Sequence, residues 1–211
     1  MLSSWRAQLL ITRIALYIAS ALIVVWSVAP FLWQVSTSFQ EDRLLSSPTP
    51  SFLPWPGTLD HFYNIFVEKQ FHLYIINSAI VAGLTTLFCL AIGGAAAFAL
   101  GRLRVYYHFG ILALILSVSM FPQIAIVAPL YLAASSLGLM NTYTILVIIY
   151  LSLGLPLVIW VLFGYFQTIP REIDEAAIID GAGPLRLLVS VILPMSLPGF
   201  VTTGLLAFIM A

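Results

Sequence analysis

Long runs without a single charge alternate along this chain with short polar segments, and the lengths of those runs set the expected elements. A helix crossing a hydrocarbon core of ~30 Å needs about 20 apolar residues. The first such run extends from Ile14 to about Phe39, and the second from about Tyr74 to Gly101. The third, Val105 to Pro170, contains no Asp, Glu, Lys or Arg and is too long for one span. A polar break at Ser135, Ser136, Gly138, Asn141 and Thr142 divides it in two. The last run starts near Leu197 and is still apolar at Ala211. The pattern predicts an all-α, polytopic transmembrane helix bundle with four complete helices and the start of a fifth. Pro122, Pro129 and Pro156 fall inside these runs and are expected to kink or interrupt their helices.

Composition agrees with lipid as the solvent. Hydrophobic residues are 62% of the chain, charged residues 8%, and mean hydropathy is +1.08. A soluble domain carries roughly 25% charged residues. The formal net charge of zero leaves no basic surplus for nucleic acid. The single cysteine, Cys89, excludes an internal disulfide framework. The run after Arg13 is too long for the core of a cleavable signal peptide and reads as a retained first helix.

Arg6, Arg13, Arg102, Arg104, Arg171 and Arg186 all fall on one side of the membrane if the N-terminus is cytoplasmic. Only Arg43 and Lys69 fall on the other, so the positive-inside rule predicts a cytoplasmic N-terminus. The expected organisation is a cytoplasmic tail and first helix over 1–40, an outer loop over 41–73, and a membrane core over 74–211. The outer loop holds Pro48, Pro50, Pro54 and Pro56 and is expected to be irregular, with Trp55, Phe62 and Tyr63 as anchors at the lipid boundary or as a partner contact.

The expected spans hold no ionisable Asp, Glu, Lys or Arg, whereas ion-coupled carriers generally place such groups at membrane depth. A secondary carrier is therefore disfavoured, and a path for a neutral, hydroxyl-rich solute is compatible. Asn77, Ser78, Thr85, Thr86 and Gln123 can hydrogen-bond a solute or a neighbouring helix, and Asn77, Ser78 and Gln123 are the candidates for a translocation path. The small-residue stretch Gly93, Gly94, Ala95, Ala96, Ala97 and Ala99 suits close helix packing. His61, His72 and His108 do not have the spacing of a metal site, and no phosphate-binding glycine loop or nucleophile elbow is present. No catalytic residue or bound cofactor is expected of this chain.

The charged segment IPREIDEAAIIDGAGPLRLLVSVILP interrupts the apolar pattern between the fourth and fifth runs. Pro170 suits a first helical turn, Glu172, Asp174 and Glu175 place negative charge at its positive dipole end, and Gly181 is positioned to end it. Pro184 can open a second short helix, after which Pro194 and Pro198 turn the chain back into the membrane. Such a helix either rests on lipid headgroups or fits a groove on another protein. Physical reasoning leaves both open, although the acidic first turn disfavours an anionic surface and small Ala176 and Ala177 permit close approach.

This segment resembles the EAA loop of binding-protein-dependent ABC importer permeases. That family's pattern is Glu-Ala-Ala, three residues, Gly, nine residues, then Ile-x-Leu-Pro. Here Glu175-Ala176-Ala177, Gly181 and Val191-Ile192-Leu193-Pro194 stand at the same spacing, with Val191 for Ile the one departure, and Asp180 also fits. Other stretches resemble the carbohydrate branch, in particular its maltose-type second permease. They are Asn77-Ser78, Ala95 to Arg102, Met120-Phe121-Pro122, Pro129-Leu130-Tyr131, Leu137 to Thr142, and Ile169-Pro170.

The resemblance implies a coupling loop over 170–194, with Glu175, Ala176, Ala177, Asp180, Gly181, Leu193 and Pro194 as its characteristic residues. It implies an assembly with two cytoplasmic ATPase subunits that bind ATP and Mg, a second permease and an external solute-binding protein. It further implies a sugar or oligosaccharide as solute, with an amino acid or polyamine importer as the alternative within the class and a non-transporting membrane scaffold outside it. Family members have six helices and continue past a stretch like Phe208 to Ala211. Residues 1–211 alone are therefore not expected to form a competent transporter, and a non-transporting fragment is the corresponding alternative.

Overall fold

Apolar runs longer than 20 residues have no way to satisfy their backbone in lipid except within themselves, and they become helices. The computed structural model describes residues 2–48, 51–103 and 105–211, and the side chains of all of these except 2–9, 123 and 124. Among the described residues three helices are long and apolar enough to cross a bilayer, over Leu10–Ser38, Phe71–Arg102 and Tyr143–Gln167, and the bent pair Pro184–Met195 with Leu197–Met210 makes a fourth if it is one span. The chain forms two units, Met1–Leu73 and Tyr74–Ala211.

In the first unit, helix α1 (Leu2–Ser38) continues through Pro30, and from Leu10 onward its large apolar side chains are exposed, as befits a membrane helix. The segment after it is not wholly irregular. It holds two single-turn helices, α2 (Asp42–Leu45) and α3 (Asp60–Tyr63), the latter running into a π-helical turn, Asn64–Glu68. Gln40 ties this segment down: it is 2% exposed, its Nε2 donates to Ser51 O at 2.7 Å, and it forms an isolated bridge with Gly57. Ser36 Oγ donates to Phe52 O at 2.8 Å, and the Trp33 and Phe52 rings meet edge-on at 5.2 Å. Phe62, expected as an anchor at the lipid boundary or as a partner contact, lies beside Phe39 at 5.3 Å, whereas Trp55 is 86% exposed.

In the second unit, α4 (Phe71–Arg102) and α7 (Tyr143–Gln167) form the spine of the bundle. The stretch expected as a third span is present as two helices, α5 (His108–Ser119) and α6 (Gln123–Ser136). The interruption falls at Met120–Pro122: Pro122 has an extended backbone and lacks the N–H that would continue the helical ladder. Pro129 and Pro156, by contrast, lie within α6 and α7. The polar break is a turn whose Gly138 has φ +66 and whose Leu139 N–H donates to Ala134 O, after which Thr142 Oγ1 accepts from Ile145 N and caps α7.

The core joins Cys89, Ala97, Phe98 and Leu100 of α4 to Val158, Ile159, Leu162, Phe163 and Phe166 of α7. Leu112 of α5 and Ala207 of α11 (Leu197–Met210) complete its sides. Close approach depends on glycine at two places. A Cβ at Gly93 would lie 2.7 Å from Val158 Cγ1, and one at Gly199 would lie 2.7 Å from the Tyr165 ring. Thr85 and Thr203 are buried and Thr86 is half-buried along the α4 and α11 surfaces; Thr86 Cγ2 lies within 3.7 Å of where a Gly204 Cβ would be.

Candidate functional site

The charged segment folds as two helices laid against one end of this bundle. Helix α8 (Arg171–Ile179) starts after Pro170, which sits at the N-cap with an extended backbone, one position earlier than the sequence suggests. Its end is a Schellman turn: Ala182 N–H donates to Ala177 O at 2.9 Å and Gly181 N–H to Ile178 O at 3.0 Å. Gly181 occupies the left-handed position at φ +81, which explains the glycine without reference to any partner.

The faces of α8 are sharply divided. Ile173 and Ala177 pack on the core, and Asp174 between them is buried, a spacing of three to four residues. Glu172, Glu175, Ala176, Ile178, Ile179 and Asp180 face outward, with Ile179 85% exposed. The two alanines therefore differ: Ala176 is open to a partner, while Ala177 is a packing residue of this chain. That corrects the expectation that both admit a partner, and the reason is the helical rotation of about 100° between successive residues.

Pro184 then opens α9 (Pro184–Leu187), which runs through a π-helical turn, Leu188–Ile192, into α10 (Leu193–Met195). Leu187 and Ile192 are buried, and Leu188 and Val191 pack on the same core. Leu193 is half-buried and Pro194 exposed. The chain does not turn at Pro194, which lies within the helix. The bend of 84° into α11 falls at Ser196, whose Oγ donates to Ile192 O at 2.5 Å. Pro198 supplies the reason, since it lacks the N–H that a straight helix would need there.

A contact between distant residues fixes α8 to the bundle. Arg102, the last residue of α4, places Nη1 3.2 Å from Asp174 Oδ2, and the two side chains are 2% and 11% exposed. Its Nη2 donates to Ile169 O at 2.8 Å, and Arg171 Nη2 donates to Gly101 O at 3.4 Å. In the sequence Arg102 counts toward the charge asymmetry and closes the stretch that resembles the carbohydrate branch, and Asp174 belongs to the acidic first turn of its helix. Their 72-residue separation carried no pairing signal beyond the oddity of a charge at the end of an apolar run. Arg171 joins Arg102 at this end; Arg104 lies outside the described residues.

Asn77 and Ser78 line a cavity of about 320 Å³ together with Tyr74, Asn141, Tyr143 and Tyr150. Tyr143 Oη donates to Asn77 Oδ1 at 2.7 Å. Gln123 opens α6, and its side chain lies outside the described residues.

A family model described as binding-protein-dependent transport system inner membrane component matches residues 91–211, a range that includes α8 and its Schellman turn. The chain belongs to that family. The permease is 38% identical over 202 residues to the trehalose/maltose transport system permease protein MalG of Thermococcus litoralis, covering 94% of this chain and 72% of the relative. It is 35% identical to the sulfoquinovosyl glycerol transport system permease protein SmoH of Agrobacterium fabrum, covering 92% and 68%. The maltodextrin transport system permease protein MdxG of Bacillus subtilis is 31% identical, with coverage of 94% and 71%. The fold of the permease also matches a solved bacterial ABC transporter involved in the import of the acidic polysaccharide alginate, with a TM-score of 0.79, 22% identity, and coverage of 94% and 70%. The permease is thus a multi-pass inner-membrane transport subunit.

Proposed function

We propose that this chain carries a sugar or oligosaccharide across the bacterial inner membrane as one permease of an ATP-driven importer, and that α8 is the helix on which a separate ATPase docks. The observation that carries this reading is the outward face of α8. It combines Glu172, Glu175 and Asp180 with small Ala176 and with Ile178 and Ile179, which are 59% and 85% exposed. Acidic groups beside exposed isoleucines disfavour an anionic lipid surface and suit a protein groove with apolar and basic walls.

The end of the second unit that holds α8 is read as its cytoplasmic end, a reading supported by Arg102 and Arg171 both lying there. Two ATPases hold ATP and Mg, a second permease completes the membrane path, and an external solute-binding protein delivers the solute. The sugar assignment draws on relatives named for trehalose, maltose, maltodextrin and sulfoquinovosyl glycerol. The uncharged amide and hydroxyl groups of Asn77, Ser78, Asn141 and Tyr143 on one cavity suit a polyhydroxylated solute. Gln123 remains a candidate for the same path.

The test is crosslinking from Ala176→Cys in the assembled importer. Cys89, the single cysteine of this chain, is fully buried, so within this chain the introduced thiol is the reactive one. A thiol-to-amine reagent is expected to join position 176 to the ATPase, whereas Ala177→Cys, turned toward the core, reacts more slowly. Crosslinks to lipid or to no protein at all from position 176 would remove the docking role.

A further inference from the structure

A docked helix transmits force only if it is stiffly joined to the span it must move. Helix α8 is connected to α7 by Thr168, Ile169 and Pro170 and to α9 by a glycine-containing turn. Both links are short turns closed by local backbone hydrogen bonds, and neither ties α8 to α4. The stiff joint is instead lateral, at the end of α4, through the guanidinium of Arg102.

We propose that Arg102 and Asp174 are a positioning pair that makes α8 move as one body with α4, so that displacement of the docked helix passes into the membrane bundle instead of being lost in the connecting turns. This rests on α8 being the docking helix. The planar guanidinium makes two contacts at fixed angles, Nη1 to Asp174 Oδ2 at 3.2 Å and Nη2 to Ile169 O at 2.8 Å. One side chain thus holds both the first turn of α8 and the turn that precedes it. Arg171 adds a return contact from the start of α8 to Gly101 O.

Burial makes the pair hard to separate. With side chains 2% and 11% exposed, parting them leaves a charge without water or partner. The cluster is not saturated, however: among the described residues Arg102 Nε and Asp174 Oδ1 have no hydrogen-bond partner. An apolar contact of the same size would supply stability as well or better. What it lacks is a directional bond, because the hydrophobic effect is itself non-directional whereas the guanidinium fork holds its acceptors at set angles. The physical advantage of an ion pair here is stiffness.

The experiment uses the complete importer in membranes and needs no solute. Two reporters are placed separately: Ala176→Cys reports docking by crosslinking to the ATPase, and Ser78→Cys, toward the other end of α4, reports its movement by maleimide labelling. ATP with vanadate is expected to change the labelling rate at position 78 in the parent. In Asp174→Asn, and in the apolar pair Arg102→Met/Asp174→Leu, the crosslink at 176 is expected to persist. The ATP-dependent change at 78, per assembled complex, is expected to shrink about tenfold, within the range of measured coupling between sites. The apolar pair guards against a variant that fails to fold, since it leaves no buried charge. Arg102→Lys keeps the charge without the fork and is expected to respond only in part. A full ATP response at 78 in the apolar pair overturns the proposal, even if abundance falls, because a purely structural pair changes amount and not response. Absence of any ATP response in the parent overturns it as well. Loss of the 176 crosslink in the parent would instead remove the docking reading on which it stands.

Discussion

Replacing Gly181 by Asn is expected to leave the permease folded and inserted while lowering transport-coupled ATP hydrolysis about tenfold, within the range of inter-site coupling. Two facts separate the effect on docking from an effect on folding. The backbone at Gly181 is left-handed, at φ +81, a conformation that costs most residues roughly 1–2 kcal/mol but that Asn visits routinely. Apart from its own chain neighbours, no described residue lies within 4 Å of where a Cβ would be built, so the new side chain meets no packed surface of the permease itself. Any loss of function must then come from a surface outside the chain, pressed against the tip formed by Ile179, Asp180 and Gly181. Gly181→Asp adds a charge to the same test and is expected to be worse, because Glu175 and Asp180 are already exposed there. Hydrolysis rates in reconstituted importers, normalised to the ATPase retained by the purified permease, check this. Full coupling in both variants would show that the partner does not approach the turn.

Gly93→Val is expected to act in the opposite way, reducing the amount of folded permease and leaving coupling in the surviving molecules near normal. A Cβ at Gly93 would stand 2.7 Å from Val158 Cγ1 and 3.3 Å from Val158 Cβ, in the middle of the contact between α4 and α7. Val158 is 1% exposed and belongs to the packed core, so it cannot swing out to relieve the contact. Overpacking of this kind costs typically about 1–3 kcal/mol, and the β-branched side chain is at the upper end because its rotamers are few. Gly83→Ala on the same helix is the control. Beyond the helix's own backbone no described atom lies within 4 Å of a Cβ there, so removal of a helical glycine is expected to be neutral or to stabilise by up to about 1 kcal/mol. Thermal unfolding in detergent and abundance in the membrane distinguish the two, and equal behaviour of Gly93 and Gly83 variants would contradict the packing described above.

Much of the architecture was legible because lipid imposes local rules. A run of apolar residues must form its own hydrogen bonds, so α1, α4 and α7 could be placed from charge-free length alone. The break at Gly138 was readable for a similar reason, since a left-handed backbone is a property of a single residue, whereas Pro122 was one of three prolines equally able to kink or interrupt. Pro129 and Pro156 were not separable from Pro122 in this way, because a proline inside a helix is tolerated when the surrounding packing supports it.

The sequence by itself determined the ends of α8. Pro170 before it and Gly181 after it act through their own backbones, and the Glu-Ala-Ala spacing identified the segment before any contact was known. What it left undecided was direction and partnership. Only the tertiary structure turned Ala176 outward and Ala177 inward, because the rotation of a short helix is set by which neighbours bury Ile173, Asp174 and Ala177. Only the tertiary structure brought Asn77 to Tyr143, and Arg102 to Asp174, across 66 and 72 positions. A charge at a helix end looks the same in a sequence whether it faces water or a buried carboxylate. Its partner is chosen by the packing of the whole bundle, a sum over distant contacts that no local pattern records.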